Sequence, residues 1–327
     1  MINDLILKDT TKEDWPKIRA RLKDRILENL GRSPVALEPA KAQFEEIERY
    51  EEHGLLHIKI RYHVFADEWN LAVIILPPDL SERGQAPAVL TIHGSNARGK
   101  FSMMSPEKSP NRVYALELAR RGFVTLSPDQ FGFGEPMETE EGKRNFDAFY
   151  EKYPEWSLTG RRVLGHIRAV DVLEALDYVK KDGYGVIGNS LGGQASFYLT
   201  GLDERIKASV VSTGLSPFAT NAYRLVGKPA PIHPYEAAML SKNGKSPWEI
   251  NEMIGLCAPR AVLFLEPFND PYNPYVETSF ECVKSAHKVY ALLDAPKKLS
   301  VYIHGDGHDT VPEVREFSYD WLEKFLK

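Results

Sequence analysis

A serine lies between two closely spaced glycines in the stretch Gly188-Asn189-Ser190-Leu191-Gly192. This stretch follows an apolar run at 184–187 and precedes a helical pattern, so it predicts a tight turn from a buried strand into a helix. Glycines two residues away on either side leave room for a strained serine at the tip of such a turn. The helix N-terminus supplies free backbone N–H groups, which stabilise negative charge. The pattern predicts a nucleophilic serine for acyl transfer, against the alternative of a glycine-rich turn without chemistry.

Two carboxylates and two histidines follow the last two predicted strands. Glu266 and Asp270 come after the apolar run at 261–265, and His304 and His308 come after the run at 299–303. In a largely parallel sheet, the groups that follow the carboxyl ends of the strands gather at one edge. The order along the chain is serine, acid, histidine, which is the order that a serine hydrolase with successive strand-end residues requires.

Each of these pairs offers a choice. Asp270 is favoured as the acid, because Glu266 immediately precedes a proline and would reach the site from the strand itself. His308 is favoured as the base, because the turn Gly305-Asp306-Gly307 lets the chain fold back and present it over the site. His304 is still at the strand end. Glu266 and His304 therefore remain the alternative acid and the alternative base.

The predicted oxyanion donors are backbone groups on two different turns. The apolar run at 88–92 is followed by His93-Gly94-Ser95, a turn that can aim a backbone N–H, that of Ser95, toward the oxyanion. The N–H of Leu191, directly after the serine, is the second predicted donor. His93 itself is interpreted as a residue that supports the turn.

The elements that position these residues follow from hydrophobic periodicity. An amphipathic helix is predicted from Thr11 to Leu30, and an alternating pattern predicts an antiparallel meander over 42–78. From residue 86 onward, strands alternate with helices, which predicts an α/β fold with a mostly parallel central sheet and helices on both faces. We expect one domain over 1–327, with an N-terminal helical extension at 1–41. Insertions at 136–159 and 213–258 are predicted to form a lid that shapes substrate access.

The composition limits the class of protein. Hydrophobic residues make up 43% and charged residues 27% of the 327 residues, which is typical of a globular protein. The formal net charge is −5 with no long basic run, so nucleic acid is not an expected partner. The sequence shows neither a signal peptide nor an apolar run long enough to span a membrane, and we expect a cytoplasmic protein. Cys257 and Cys282 predict buried free thiols, and no metal or other cofactor is expected.

The motifs together resemble an α/β-hydrolase, and within that superfamily the chain is similar to the dienelactone-hydrolase and acetyl-xylan-esterase-like serine esterases. The resemblance implies Ser190 as nucleophile, Asp270 as acid and His308 as general base. Dienelactone hydrolases themselves use a cysteine nucleophile, whereas this chain has a serine at the turn. The matching pieces lie at His93-Gly94, Pro128-Asp129, 132–135, 188–193, 258–260, Asn269-Asp270-Pro271 and Gly307-His308.

The leading hypothesis is a serine hydrolase that cleaves a small-molecule carboxylic ester through an acyl-enzyme intermediate. One alternative is a peptidase of the prolyl-oligopeptidase type, although the N-terminal region is too short to form a β-propeller. Another alternative is a hydrolase scaffold that binds a ligand without catalysis. The N-terminal helix and the stretch near Trp248 are where a homo-oligomer contact would be sought.

Overall fold

A mixed β-sheet forms the centre of the computed structural model, which describes residues 2–135, 146–221 and 246–327. The described strands are β1 (Phe44–Glu52), β2 (Leu55–Phe65), β3 (Glu68–Ile75), β4 (Ala88–Ile92), β5 (Val124–Pro128), β6 (Tyr184–Asn189), β7 (Ile206–Ser212), β8 (Ala261–Pro267) and β9 (Leu299–His304). They lie in the order β1-β2-β3-β5-β4-β6-β7-β8-β9.

The two halves of the sheet differ in direction. β1, β2 and β3 pair antiparallel, and β3 pairs antiparallel with β5. From β5 to β9 every neighbouring pair is parallel. The carboxyl ends of β4 and of β6 to β9 therefore lie at one edge, where the predicted site residues follow them. The predicted meander and mostly parallel sheet are confirmed.

Helices cover both faces of the sheet. The described helices are α1 (Trp15–Leu30), α2 (Leu80–Arg83), α3 (Tyr114–Arg120), α4 (Phe146–Lys152), α5 (Leu158–Ala175), α6 (Leu191–Leu202), α7 (Ile250–Cys257), α8 (Val276–Leu292) and α9 (Pro312–Leu326). Buried side chains of α1 and of α5 to α8 form one apolar cluster, and those of α3 and α9 form a second. There are two apolar clusters because successive side chains of a strand point to opposite faces of the sheet. In β4, Leu90 and Ile92 enter the first cluster, and Val89 enters the second.

The N-terminal helix begins later than the sequence predicts. It was expected to begin at Thr11, but α1 begins at Trp15. The Asp14 carboxylate accepts a hydrogen bond from the Thr11 N–H at 2.9 Å, so it closes the preceding turn instead of capping the helix. Ile26 and Leu30 are fully buried in the first apolar cluster, and α1 packs against α7.

The two predicted insertions contain core elements. The first insertion runs into α5, which begins at Leu158 because the Ser157 hydroxyl accepts from the Gly160 N–H at 2.9 Å and caps the helix. Phe149 and Trp156, in the first insertion, are buried in the core, and so is Trp248 in the second. The stretches 136–145 and 222–245 lie outside the described residues. Among the residues that are described, no helix has the length and apolar character needed to cross a membrane.

Candidate active site

Ser190 occupies a strained turn between β6 and α6. Its backbone has φ 57° and ψ −119°, in a region that side-chain-bearing residues rarely adopt. A Cβ at Gly188 would lie 2.3 Å from the carbonyl oxygen of Gly192, and one at Gly192 would lie 2.0 Å from that of Ile92. Steric contact with the backbone thus requires the two glycines, and the turn holds the serine between strand and helix.

Two polar residues at the end of β7, Ser212 and Thr213, hold this turn in place. The Ser190 N–H donates to the Ser212 carbonyl oxygen at 2.9 Å and to the Thr213 hydroxyl at 3.0 Å. The Asn189 side-chain amide donates to the same Thr213 hydroxyl at 2.9 Å. Ser212 and Thr213, at the carboxyl end of β7, therefore support the nucleophile turn.

The structure brings His308 and Asp270 together. His308 Nδ1 lies 2.8 Å from Asp270 Oδ2, and Asp270 is only 2% exposed. Asp270 Oδ1 accepts the N–H of Tyr272 at 2.7 Å. Because a carboxylate accepts the bond at Nδ1, that ring nitrogen carries the proton in the neutral imidazole. The lone pair of Nε2 is then available to accept a proton from a nucleophile.

The acid loop and the base loop are joined by side chains. The Asn269 amide donates to the Gly305 carbonyl oxygen at 2.7 Å and accepts the Gly307 N–H at 2.9 Å. Arg112 donates to the His308 carbonyl oxygen at 2.9 Å. The ring of Tyr272 packs edge-on against the His308 ring, with centroids 4.6 Å apart. These contacts fix the position of the imidazole.

Thr310 links the base loop to the nucleophile turn. Its hydroxyl lies 3.0 Å from the Ser212 hydroxyl and accepts from the Tyr114 hydroxyl at 2.8 Å. Thr310 and Tyr114 did not emerge from the sequence, since neither belongs to a motif. The position of Thr310 two residues after the histidine is the one signal that points to it.

The alternative acid and base have other contacts. Glu266 is 1% exposed, and its Oε1 accepts the N–H of Leu215 at 3.3 Å. His304 Nδ1 lies 3.3 Å from both the N–H and a carboxylate oxygen of Asp306. Burial lowers the pKa of the His304 imidazole, which favours its neutral form. Of the two predicted acids and two predicted bases, Asp270 and His308 lie within hydrogen-bond distance of each other, at 2.8 Å.

The turn after β4 passes directly beside Ser190. A Cβ at Gly94 would lie 3.5 Å from the Ser190 Cβ and 3.2 Å from the Asn189 carbonyl oxygen, so a side chain here would be tightly packed against the nucleophile turn. Ser95 is the next residue. On the other side of Ser190, Leu191 is the first residue of α6, where an N–H has no acceptor within the helix.

His93 supports that turn as a neutral side chain. The Gln130 N–H donates to His93 Nε2 at 3.0 Å, so the proton is on Nδ1, which lies 2.7 Å from the Gly94 carbonyl oxygen. Burial lowers the pKa of the His93 imidazole, consistent with this neutral tautomer. Both ring nitrogens are thus occupied in holding the backbone.

A buried ion pair lies behind the same turn. Lys100 and Asp129 are fully buried, with Lys100 Nζ 2.6 Å from Asp129 Oδ2 and the Lys100 N–H 2.9 Å from Oδ1. Glu135 also accepts from Lys100. Gly134 packs against this carboxylate so closely that a Cβ would lie 2.0 Å from Asp129 Oδ1. Within the described part of the chain, no cluster of three or more His, Cys, Asp or Glu residues is suited to a metal.

Comparisons with known proteins place this geometry in context. Residues 82–233 match the dienelactone hydrolase family. The Bacillus subtilis protein YtaP is 29% identical over 257 residues, which cover 74% of this chain and 80% of YtaP.

Two solved esterases share the fold. A glucuronoyl esterase from Solibacter usitatus superposes with a TM-score of 0.72 at 16% identity, covering 98% of this chain and 96% of that one. A promiscuous CE15 esterase from a marine bacterial metagenome has a TM-score of 0.73 at 16% identity, covering 99% and 97%. At this level of identity, the two superpositions show a shared fold.

Proposed function

We propose that this chain, whose residues 82–233 match the dienelactone hydrolase family, is a serine esterase of the α/β-hydrolase fold with Ser190, His308 and Asp270 as its triad. One observation carries this proposal. The strained serine of the β6–α6 turn lies at the same sheet edge as the His308–Asp270 pair, whose atoms are 2.8 Å apart. The proposed substrate is a small-molecule carboxylic ester.

In the proposed mechanism, His308 Nε2 accepts and returns a proton in each of the two half-reactions. His308 Nε2 accepts the proton of the Ser190 hydroxyl as its oxygen attacks the ester carbonyl carbon. The tetrahedral intermediate then collapses, the C–O bond to the alcohol breaks, and the alcohol leaves with the proton from Nε2. Water, activated by the same nitrogen, hydrolyses the acyl-enzyme and releases the acid. Asp270 keeps the proton on Nδ1 and stabilises the imidazolium formed in both steps.

The backbone N–H groups of Leu191 and Ser95 are the proposed oxyanion donors. The close approach of Gly94 to Ser190 and the free first turn of α6 support this assignment. In serine hydrolases, loss of one such donor typically costs about 3 kcal/mol of transition-state stabilisation. Cys257 and Cys282 are buried and unpaired, which agrees with a reducing compartment such as the cytoplasm.

The decisive experiment replaces the nucleophile. Ser190→Ala is expected to abolish hydrolysis of p-nitrophenyl acetate and labelling by a fluorophosphonate probe, measured by intact mass, with an unchanged far-ultraviolet circular dichroism spectrum. Ser95→Ala is the matched control, because it removes only a hydroxyl and keeps the backbone N–H. It should retain activity within a few-fold. Full activity or labelling in the Ser190 variant would refute the assignment.

The peptidase alternative and the non-catalytic alternative are tested in the same assays. Release of a chromogenic amine from a dipeptide amide at a rate comparable to ester hydrolysis would favour a peptidase. A folded wild-type protein that neither hydrolyses esters nor reacts with the fluorophosphonate would favour a non-catalytic scaffold. The proposed esterase predicts rapid labelling and a strong preference for the ester.

A further inference from the structure

The two edges of the sheet differ in how they are protected against pairing with another strand. β1 forms one edge, and six of its nine residues are charged. Charged side chains on an edge strand discourage another chain from pairing with it. β9 forms the other edge and pairs with β8 alone among the described strands. Its sequence, Leu-Ser-Val-Tyr-Ile-His, contains no acidic residue, lysine, arginine or proline, so this edge lacks the same protection.

The backbone of β9 presents hydrogen-bonding groups on its open side. The Phe268 N–H donates to the His304 carbonyl oxygen at 3.0 Å, so the backbone groups of His304 point toward β8. These groups alternate in direction along a strand, and those of Val301 and Ile303 therefore point away from β8. No other described strand lies on that side. Val301 and Ile303 thus offer their N–H and C=O groups to an added strand.

Apolar side chains are exposed on both faces of this edge. Val301 packs against the first apolar cluster, and Ile303, two residues later on the same face, is 45% exposed. On the opposite face, Tyr302 is 41% exposed and packs against Phe317 of α9, which is also 41% exposed, with ring centroids 5.2 Å apart. An added strand would therefore cover apolar surface on both faces, which stabilises pairing.

Charges at the two ends of β9 favour a second copy of this chain as the partner. Lys297 and Lys298 immediately precede the strand, Asp306 follows it by two residues, and all three are exposed. In two copies related by a two-fold axis, the two β9 strands run antiparallel. Pairing Val301 of each copy with Ile303 of the other then brings Lys298 beside Asp306 of the second copy, at both ends of the strand. The edge is complementary to itself.

We propose that two copies of this chain form a dimer by antiparallel pairing of their β9 strands, which continues the sheet across the interface. In this register, Tyr302 lies on the two-fold axis, opposite Tyr302 of the second copy. Ser300 lies opposite His304 of the second copy. The proposal is independent of the proposed esterase function, because none of these residues belongs to the proposed triad.

Cysteine cross-linking tests the register. Facing residues of antiparallel strands have Cα atoms about 4.5–5.5 Å apart, which a disulfide can span. Tyr302→Cys is therefore expected to give a covalent dimer on non-reducing gels after oxidation with copper phenanthroline. Ser300→Cys is the matched control, because its two copies lie four residues apart along the strands, roughly 14 Å, and should not cross-link. Equal cross-linking of both variants, or none of Tyr302→Cys, would overturn this pairing.

Sedimentation velocity measures the dimer without a cross-link. The wild-type protein should sediment as a dimer at micromolar concentration, and Ile303→Lys as a monomer, because pairing would bury the introduced charge. Ile47→Lys is the matched control, since Ile47 is 49% exposed on β1, the opposite edge, and this variant should remain dimeric. A monomeric wild type, a dimeric Ile303 variant or a monomeric Ile47 variant would contradict the proposal. Circular dichroism confirms that each variant is folded.

Charge reversal tests whether the partner is a second copy in this orientation. Lys298→Glu and Asp306→Lys should each raise the dissociation constant of the dimer about 3- to 10-fold, because each removes two symmetric ion pairs. The double variant restores opposite charges at both positions and should recover most of the wild-type affinity. Sedimentation equilibrium of the four proteins measures this. A double variant that dissociates more readily than either single variant would exclude the antiparallel register.

Discussion

Asp270 and Glu266 are both buried carboxylates near the end of β8, yet their surroundings differ. Asp270 directs one oxygen to His308 and the other to the Tyr272 N–H. Glu266 accepts from a backbone N–H, that of Leu215. A carboxylate orients a catalytic histidine only when it bonds to the nitrogen opposite the nucleophile. The four-residue difference in sequence position thus separates the carboxylate that bonds to His308, our proposed acid, from one that accepts a loop N–H.

This difference predicts that substitutions at the two positions lower kcat by very different amounts. Asp270→Asn should lower kcat on p-nitrophenyl acetate by about 10³- to 10⁴-fold, because an amide does not hold the productive imidazole tautomer or stabilise its cation. Glu266→Gln should lower kcat by less than about tenfold. Steady-state kinetics with thermal unfolding as the control distinguishes the two. A larger kcat loss in the Glu266 variant would reverse the assignment of the acid.

The β6–α6 turn is where backbone geometry limits the sequence most strictly. Gly192→Ala would place a methyl group 2.0 Å from the Ile92 carbonyl oxygen, which belongs to the neighbouring strand. The backbone must move, so we expect loss of most ester hydrolysis and a melting temperature lower by several degrees. Gly165→Ala is the control, because a Cβ at that helical position meets side-chain atoms and no backbone, Arg161 Nη1 at 3.3 Å and Asn70 Nδ2 at 3.7 Å. A fully active Gly192 variant would show that the turn tolerates this displacement.

The ion pair beneath the β4 turn predicts a non-additive pair of substitutions. Lys100→Met leaves the Asp129 charge buried without its cation, and we expect it to lower the free energy of unfolding by about 3–5 kcal/mol. Adding Asp129→Asn removes that charge, so the double variant should be more stable than Lys100→Met alone. Urea denaturation of the wild type, Lys100→Met, Asp129→Asn and the double variant measures this. Additive destabilisation would show that the two side chains act independently.

At the scale of the whole molecule, a single continuous sheet carries every proposed catalytic group. Ser190, the β4 turn, Asp270 and His308 follow the four strands β6, β4, β8 and β9, which are neighbours or next neighbours in the order β4-β6-β7-β8-β9. Polar links run between the strand ends, through Thr213 and Thr310. The fold therefore brings together residues that are up to 215 positions apart, from His93 to His308, without any motif that spans them.

The buried histidines predict that the protein loses stability in acid. The folded pKa of His166, about 3, lies below its ordinary value of 6.5, so the unfolded chain binds the additional proton between those two pH values. Stability from this group is complete above about pH 6.5 and decreases as the pH falls toward 3, by up to about 1.4 kcal/mol per pH unit. His93 and His304 shift in the same direction.

Urea denaturation between pH 7.5 and 4.5 tests this expectation. His166→Gln should show a smaller loss of unfolding free energy on acidification than the wild-type protein, whatever its stability at pH 7.5. His287→Gln serves as the control, because His287 is exposed. Parallel pH profiles for the wild type and the His166 variant would mean that His166 does not contribute to acid sensitivity.

Much of this protein follows from local sequence pattern. Alternating apolar residues over 42–78 predict the meander, and the alternation of strands with helices from residue 86 predicts the parallel strands. The glycines at 188 and 192 predict the turn, because a strained serine restricts the residues around it. The predicted start of α1 at Thr11 was wrong. The polar side chain of Asp14 can close a turn or cap a helix, and the sequence does not distinguish the two.

Only the tertiary structure decided which groups meet. The sequence favours Asp270 over Glu266 without excluding Glu266, and the hydrogen bond to His308 depends on how the loops after β8 and β9 fold against each other through Asn269. Contacts between elements distant in sequence depend on the packing of the whole sheet, which no local pattern encodes, whereas the order of serine, acid and histidine is already present in the chain.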